Sequence, residues 1–174
     1  MILNIVLGIF TIVALPMIVA LFVKREYCIE RYIVINKPKK EIFNYIRFLK
    51  NQDAYNKWVM MDPNMKKEFK GIDGTVGFIY AWNGNNKAGE GEQEIKNIVE
   101  EELLNTELRF VRPFAGVGHA LLKTQSFSEN TTKVIWGMRG TSSYPLNLTN
   151  LFIPNLLGKD LDISLATLKN VLEK

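Results

Sequence analysis

The sequence predicts an α+β domain in which one long C-terminal helix lies across a curved antiparallel sheet. Residues 74–141 read as successive short strands with alternating side chains, separated by turn residues. The C-terminal residues instead carry one apolar stripe at helical spacing, formed by Leu157, Leu161, Leu165, Leu168 and Leu172. Because such a helix buries its stripe and the sheet is the large partner in the chain, we expect the two to pack together, with room for a cavity between them.

The chain begins with an uncharged segment, residues 1–23. As a helix it would measure about 34 Å, against about 30 Å for the hydrocarbon core of a bilayer. We therefore predict a transmembrane anchor at 1–23, followed by one domain at 24–174. A cleaved signal peptide fits less well, because no Lys or Arg precedes the apolar run. Lys24 and Arg25 follow it directly, so the positive-inside rule predicts a single-pass cell-membrane protein whose domain faces the cytoplasm.

A strand and a short helix are predicted next. Residues 26–36 alternate as a strand, although Arg31 interrupts its apolar face. Pro38 suits the first turn of a helix, whose apolar stripe comprises Ile42, Tyr45, Ile46 and Leu49. Trp58 follows on a looser segment, and residues 65–70 are predicted to form a short charged strand.

The strands predicted at 76–82 and 88–99 carry the most informative alternation. Large side chains occupy one face of the first, which we assign to the covered side of the sheet: Val76, Phe78, Tyr80 and Trp82. In the second, three carboxylates share a face and would repel each other if buried, so we expect most of them to be solvated: Glu90, Glu92 and Glu94. Glu90 is the candidate for facing a cavity, because it lies between Gly89 and Gly91.

Three further strands, at 104–111, 119–127 and 132–138, complete the predicted sheet. One face of the last strand is formed by Thr132, Val134, Trp136 and Met138. The predicted order is therefore anchor, strand, short helix, six strands and long helix.

The residue inventory limits the chemistry that the chain can be expected to perform. His119 is the only histidine and Cys28 the only cysteine, so no metal-ligand cluster or disulfide is predicted. The net charge of +4 is modest, and no nucleic-acid motif, nucleotide loop or nucleophile triad is present. We therefore expect no metal, no cofactor and no nucleic-acid partner.

Three short runs resemble a known superfamily. They are residues 80–85 (YAWNGN) with 89–91 (GEG), residues 133–138 (KVIWGM), and residues 158–160 (GKD) followed by Leu165 and Leu168. In this order and spacing they resemble the SRPBCC or START-like superfamily, in particular its bacterial polyketide cyclase/dehydrase-like members. The resemblance covers about residues 26–174. It implies a helix-grip fold with a hydrophobic cavity between the sheet and the C-terminal helix, in which members bind lipids, sterols, polyketides or other apolar molecules, and a few are cyclases.

These observations predict a membrane-tethered START-like domain that binds an apolar or amphipathic small molecule, lipid-like in character, without catalysis. One alternative is a polyketide cyclase/dehydrase-like or hydrolase-like enzyme, which would show ionisable groups converging in the cavity. Another is a protein-interaction module at the membrane, which would show a filled core and an exposed apolar patch. The residues predicted to line the cavity are Trp58, Phe78, Tyr80, Trp82, Glu90, Val134, Trp136, Met138, Leu161 and Leu165.

Overall fold

The computed structural model describes residue 12 and residues 14–174. In this part of the chain, seven strands form one antiparallel sheet, in which the strand order is β1-β7-β6-β5-β4-β3-β2. The strands are β1 (Glu26–Ile35), β2 (Lys66–Lys70), β3 (Ile79–Asn83), β4 (Glu90–Val99), β5 (Leu103–Arg112), β6 (Gly116–Ser128) and β7 (Thr131–Thr141). Strands β2 to β7 form a meander, and β1 pairs with β7 at the far edge.

Helices lie before and after this meander. Between β1 and β2 come α1 (Lys39–Ile46), a first 3-10 helix (Leu49–Ala54) and α2 (Lys57–Met60). After β7, a second 3-10 helix (Leu146–Leu151) leads into α3 (Ile153–Leu172). The order confirms the predicted α+β fold, in which a strand and a short helix precede six strands and a long helix.

The long helix α3 buries the predicted leucine stripe. Leu161, Leu165 and Leu168 are at most 1% exposed, and Leu157 and Leu172 pack against the same core from the two ends. The main neighbour of α3 is the edge strand β1, with a smaller contact to β7. Each fully buried leucine contributes roughly 1.5–3 kcal/mol of hydrophobic stabilisation.

Arg31, which interrupts the apolar face of β1, meets a glycine in α3. Its guanidinium lies where a Cβ on Gly158 would be, so a side chain at this position would force the two elements apart. Arg31 Nε also donates to Asp162 Oδ2 at 3.3 Å. Because both side chains are more than a third exposed, this ion pair adds at most about 1 kcal/mol. The glycine therefore matters for the close approach of α3 to β1.

The prediction that Val76 belongs to a strand is wrong. Residues 71–77 form turns, β3 begins at Ile79, and Val76 is 61% exposed. Gly71, Gly74 and Gly77 all have positive φ, which breaks the extended conformation that alternation requires. Alternation resumes with Phe78 and Tyr80, which are buried as predicted.

The predicted anchor is described only in part. Residues 14–22 are helical, whereas residues 1–11 and 13 lie outside the described residues. Of the helices within the described residues, none combines the length and the hydropathy needed to cross a membrane.

Truncating the leucine stripe should destabilise the domain. Leu165→Ala is expected to lower the free energy of unfolding by about 2–5 kcal/mol, because the side chain is fully buried between α3 and the sheet. The measurement is a urea titration followed by tryptophan fluorescence.

The matched control is Ile163→Ala on the same helix. Ile163 is 48% exposed, so its truncation should change stability by no more than about 0.5 kcal/mol. Lys169 is a poorer control, because its Nζ donates to the Val34 carbonyl at 2.8 Å. Equal losses for Leu165→Ala and Ile163→Ala would contradict the packing of α3 on β1.

Candidate functional site

A cavity of about 200 Å³ lies on the concave face of the sheet, under the first 3-10 helix and α2. Its floor is formed by inward side chains of β3 to β7, and its rim by the β3–β4 and β5–β6 turns. The lining comprises Gln52, Asn56, Trp58, Val59, Met65, Tyr80, Trp82, Lys87, Ala88, Gln93, Leu108, Phe110, Arg112, Pro113, Ala120, Trp136 and Met138.

Aromatic rings form the walls of this cavity. Trp58 of α2 meets Trp136 of β7 edge to face at a centroid distance of 6.5 Å. Trp82 of β3 meets Phe110 of β5 in the same manner at 6.0 Å. The chain contains three tryptophans, and all of them line this cavity. Such walls suit an apolar or aromatic ligand, since rings offer large contact area with little conformational freedom to lose.

The position of Trp82 depends on Gly91 in the neighbouring strand. A Cβ at Gly91 would lie 2.8 Å from Trp82 Cζ2, closer than such contacts occur. The ring is also oriented by its Nε1, which donates to the Ala88 carbonyl at 3.2 Å. Gly91 therefore provides the space that lets Trp82 lie along the cavity wall.

Tyr80 brings a hydroxyl to the site, and a carboxylate holds it. Its hydroxyl donates to Asp53 Oδ1 at 2.7 Å, while Lys67 Nζ donates to Asp53 Oδ2 at 2.7 Å. Burial raises the pKa of Tyr80 far above its ordinary value, and the hydrogen bond and negative charge of Asp53 raise it further. Tyr80 therefore stays neutral and keeps its proton on the side of Asp53.

A buried amide pair gives the cavity its polar end. Asn56 caps α2, because its Oδ1 accepts from the Trp58 backbone N–H at 3.0 Å. This leaves Asn56 Nδ2 to donate to Gln52 Oε1, at 2.8 Å. The Gln52 Nε2 group then has no acceptor among the described residues, although Gln52 is only 3% exposed. A buried donor without a partner typically costs about 1–3 kcal/mol, so an acceptor that reached Gln52 Nε2 would be stabilised by this group.

The carboxylates of β4 lie on the opposite face of the sheet. Glu90 accepts from Arg112 Nε at 2.9 Å, and Glu92 from Arg109 Nε at 2.6 Å. Glu90 does not line the cavity, so the prediction that it faces the cavity is wrong. Strand alternation places it on the side of the solvated carboxylates, and Gly91 between them faces inward. Arg112 itself lies at the cavity rim, where its Nη2 donates to Asn83 Oδ1 at 2.7 Å.

The structure brings together half of the side chains named from the sequence. Those that line the cavity are Trp58, Tyr80, Trp82, Trp136 and Met138. Those buried in the core without lining it are Phe78, Val134, Leu161 and Leu165. The cavity was expected against α3, but no α3 residue lines it. The leucine stripe is taken up by β1, so the cover of the cavity comes from residues 49–59 instead.

Several lining residues were not predicted. Gln93 shares the inward face of β4 with Gly91 and Ile95, and Leu108 and Phe110 alternate inward along β5. Period-two alternation signals these three positions. Gln52 has no such signal, because it lies on a 3-10 turn whose position over the sheet is set by tertiary packing.

No protein-family model matches the sequence, and no curated protein matches it either. Solved structures do match the fold. Norcoclaurine synthase from Thalictrum flavum, solved in complex with dopamine and hydroxybenzaldehyde, aligns with a TM-score of 0.66 and 10% identity, over 84% of this chain and 86% of that chain. Ara h 8.0201 aligns with a TM-score of 0.61 and 13% identity, over 86% of this chain and 99% of that chain.

A solved structure from a bacterium also matches the fold. A protein from Nitrosospira multiformis aligns with a TM-score of 0.61 and 17% identity, over 83% of this chain and 94% of that chain. The chain thus has a helix-grip fold of the Bet v 1/START-like type, as the resemblance implied. At these identities the similarity concerns the fold alone.

Two tyrosine-to-phenylalanine changes should differ in their effect on stability. Tyr80→Phe is expected to lower the free energy of unfolding by about 0.5–1.5 kcal/mol, because the hydrogen bond to Asp53 is lost. Tyr55 is fully buried, and its hydroxyl has no partner among the described residues. Tyr55→Phe should therefore leave stability unchanged or raise it. Urea titrations of both variants test this, and a loss in Tyr55→Phe as large as that in Tyr80→Phe would contradict it.

Proposed function

We propose that this protein is a membrane-tethered binding protein that holds a small apolar or amphipathic molecule in the cavity beneath α2. The observation that carries the proposal is one cavity walled by all three tryptophans, with the unpartnered Gln52 amide at one end. An apolar enclosure with a few placed polar groups is the usual form of a small-molecule site.

The volume of the cavity limits the size of the ligand that it can hold. A volume of about 200 Å³ is somewhat larger than the roughly 150 Å³ engineered cavity that takes up benzene. It is smaller than the roughly 300 Å³ at which drug-sized sites begin. These values favour a molecule of one or two rings, or a short acyl chain, over a sterol or a two-chain lipid.

The polar end of the cavity limits the chemical groups that the ligand can carry there. The unpartnered group of Gln52 is its Nε2 donor, because its oxygen is already engaged by Asn56. A ligand group with an acceptor oxygen, such as a ketone, ester or carboxylate, would satisfy the amide and fix the ligand's orientation. The aromatic walls would contribute affinity through contact area, without fixing the orientation of the ligand.

Binding is proposed rather than catalysis because of the groups that face the ligand. Among the described lining residues there is no aspartate, glutamate, histidine or cysteine, and the lining cations Lys87 and Arg112 lie at the rim. Tyr80 holds its proton against Asp53, and the Glu90–Arg112 pair lies at the rim with Glu90 on the outer face. Norcoclaurine synthase is an enzyme by name, so turnover by the same fold remains the alternative, to be tested by product analysis after prolonged incubation with a bound ligand.

We further propose that residues 1–23 form the membrane tether, with the domain on the cytoplasmic side. The support is the uncharged run at 1–23, followed by Lys24 and Arg25. A tether would hold the cavity close to a bilayer, in which apolar molecules concentrate.

Tryptophan fluorescence should report ligand binding directly, because every tryptophan lines the cavity. In the full chain reconstituted into lipid nanodiscs, 2-acetylnaphthalene should quench the emission saturably. Gln52→Leu should raise the Kd of 2-acetylnaphthalene by up to about tenfold, the value of one hydrogen bond of roughly 1.4 kcal/mol. The analogue 2-ethylnaphthalene lacks the acceptor, so Gln52→Leu should not weaken its binding.

Gln125→Leu is the matched control, because Gln125 is exposed on β6 outside the cavity. It should leave both affinities unchanged, and partition of either compound into lipid is the same for all variants. The absence of saturable quenching by both compounds would overturn the binding proposal. Equal weakening of both by Gln52→Leu would leave binding intact but contradict the hydrogen bond.

The tether has its own test. Membranes from cells that express the full chain should retain it after washing at alkaline pH, and the retained protein should begin before Lys24 by N-terminal sequencing. Protease added from the cytoplasmic side should digest the domain. Release by the wash, or an N-terminus near Lys24, would show that residues 1–23 are a cleaved segment.

A further inference from the structure

A second uncharged segment, residues 141–158, contacts residues 17–23 in the fold. Residues 141–158 contain no charged side chain, although 23% of the chain is charged. They include the second 3-10 helix and the first turns of α3. Four of their apolar side chains are turned outward, with exposed fractions of 49% for Leu146, 54% for Leu151, 64% for Phe152 and 63% for Leu156.

Buried amides fasten this segment to the end of the N-terminal helix. Asn147 Nδ2 donates to the carbonyls of Ala20 and Val23, at 2.6 and 2.8 Å. Asn150 Nδ2 donates to the carbonyls of Lys24 and Arg25, at 2.9 and 2.8 Å. Carbonyls at a helix C-terminus have no partner within the helix. The two asparagines thus donate four hydrogen bonds to carbonyls in the last turn of the helix and in residues 23–25, which directly follow it.

The contact continues along the helix. Tyr144 Oη donates to the Met17 carbonyl at 3.3 Å. Met17 precedes the last helical residue, Phe22, by five positions, which corresponds to about 8 Å along the axis. The helix around this contact exposes Leu15, Ile18, Leu21 and Phe22, and buries Ala20 against the domain. The segment therefore extends beside a helix whose other faces are apolar and open.

Cations border this apolar surface. Lys24 and Arg25 follow the helix, and Lys159 follows the segment on α3, one turn after Leu156. All three are exposed, and none forms an ion pair with the residues that the structure describes. An apolar surface edged by lysine and arginine is the pattern of a protein face that rests in a bilayer interface.

We infer that residues 141–158, which we name the interface segment, lie in the bilayer interface beside the N-terminal helix. This inference rests on the proposed membrane tether. The 8 Å reach to Met17 agrees with the depth of about 5–10 Å to which interfacial apolar faces are buried. Tyr144, an aromatic with a hydroxyl, suits the headgroup level. A bilayer is favoured over a protein partner because the surface adjoins helical residues 14–22, which belong to the uncharged run at 1–23.

The rim of the cavity lies at the same end of the sheet as the interface segment, which bears on how a ligand enters and leaves. Glu26 pairs with Thr141, Gly118 with Gly140, and Phe110 with Gly116, so these strand ends lie at one end of the sheet. The exposed rim residues Lys87 and Pro113 belong to turns at the same end. A domain held by the interface segment therefore has its cavity rim on the membrane side, and a ligand passes between cavity and bilayer over a short path.

Nitroxide labels test the depth of the interface segment in the full chain. Cys28, the only cysteine, is replaced by Cys28→Ser, and Phe152→Cys is labelled and reconstituted into phosphatidylcholine vesicles. Phe127→Cys is the matched control, because Phe127 is 75% exposed at the other end of β6. The Phe152 label should collide with oxygen severalfold more, relative to a water-soluble nickel complex, than the Phe127 label does.

The outcomes separate this inference from the tether. If the chain floats with the vesicles but both labels meet the nickel complex equally, the interface placement is overturned and the tether stands. If dilution with unlabelled chain restores access of nickel to the Phe152 label, a second copy covers the surface, and the inference is overturned. If the chain does not float with the vesicles, the tether and the inference fail together.

Discussion

The difference in width between the sheet and its long helix determines the rest of this fold. Seven strands at a spacing of about 4.8 Å make a sheet about 29 Å wide, whereas a helix with its side chains is about 10–12 Å across. Helix α3 therefore covers only part of the concave face, and its leucines pack chiefly on β1. The inner face of β3 to β6 needs a second cover, and residues 49–60 supply it with two short helices that do not fill the space.

Two kinds of group surround that unfilled space, aromatic rings and amides, and they would contribute differently to ligand binding. Tryptophan and phenylalanine rings from α2, β3, β5 and β7 provide contact area without direction. A polar group comes from one chain of amides, in which Asn56 caps α2, Asn56 also engages the oxygen of Gln52, and Gln52 Nε2 is left without a partner among the described residues. A helix cap, which is a local stabilising device, thus decides which hydrogen-bonding group a ligand meets.

Much of the architecture could be predicted from the sequence because it depends on local periodicity. The leucines from Leu157 to Leu172 mark α3, and alternation in β3 and β7 places Tyr80, Trp82, Trp136 and Met138 on the inner face. Alternation also places the carboxylates of β4 outside, and it contradicts the assignment of Glu90 to the cavity. The glycines beside Glu90 suggested that another group approaches the strand closely there. This is correct, but the group that approaches Gly91 is the Trp82 ring rather than a ligand or the helix.

The sequence by itself thus determined the order of elements, the inward faces of β3 and β7 and the stripe of α3, because these follow from side-chain spacing along one segment. Only the tertiary structure decided where the cavity lies, that Gln52 rather than an α3 residue faces it, and that Asn147 and Asn150 hold the N-terminal helix. These features depend on which distant segments meet across the sheet. No periodicity within a segment encodes how wide a sheet is relative to the helix laid on it, and that width decides what is left uncovered.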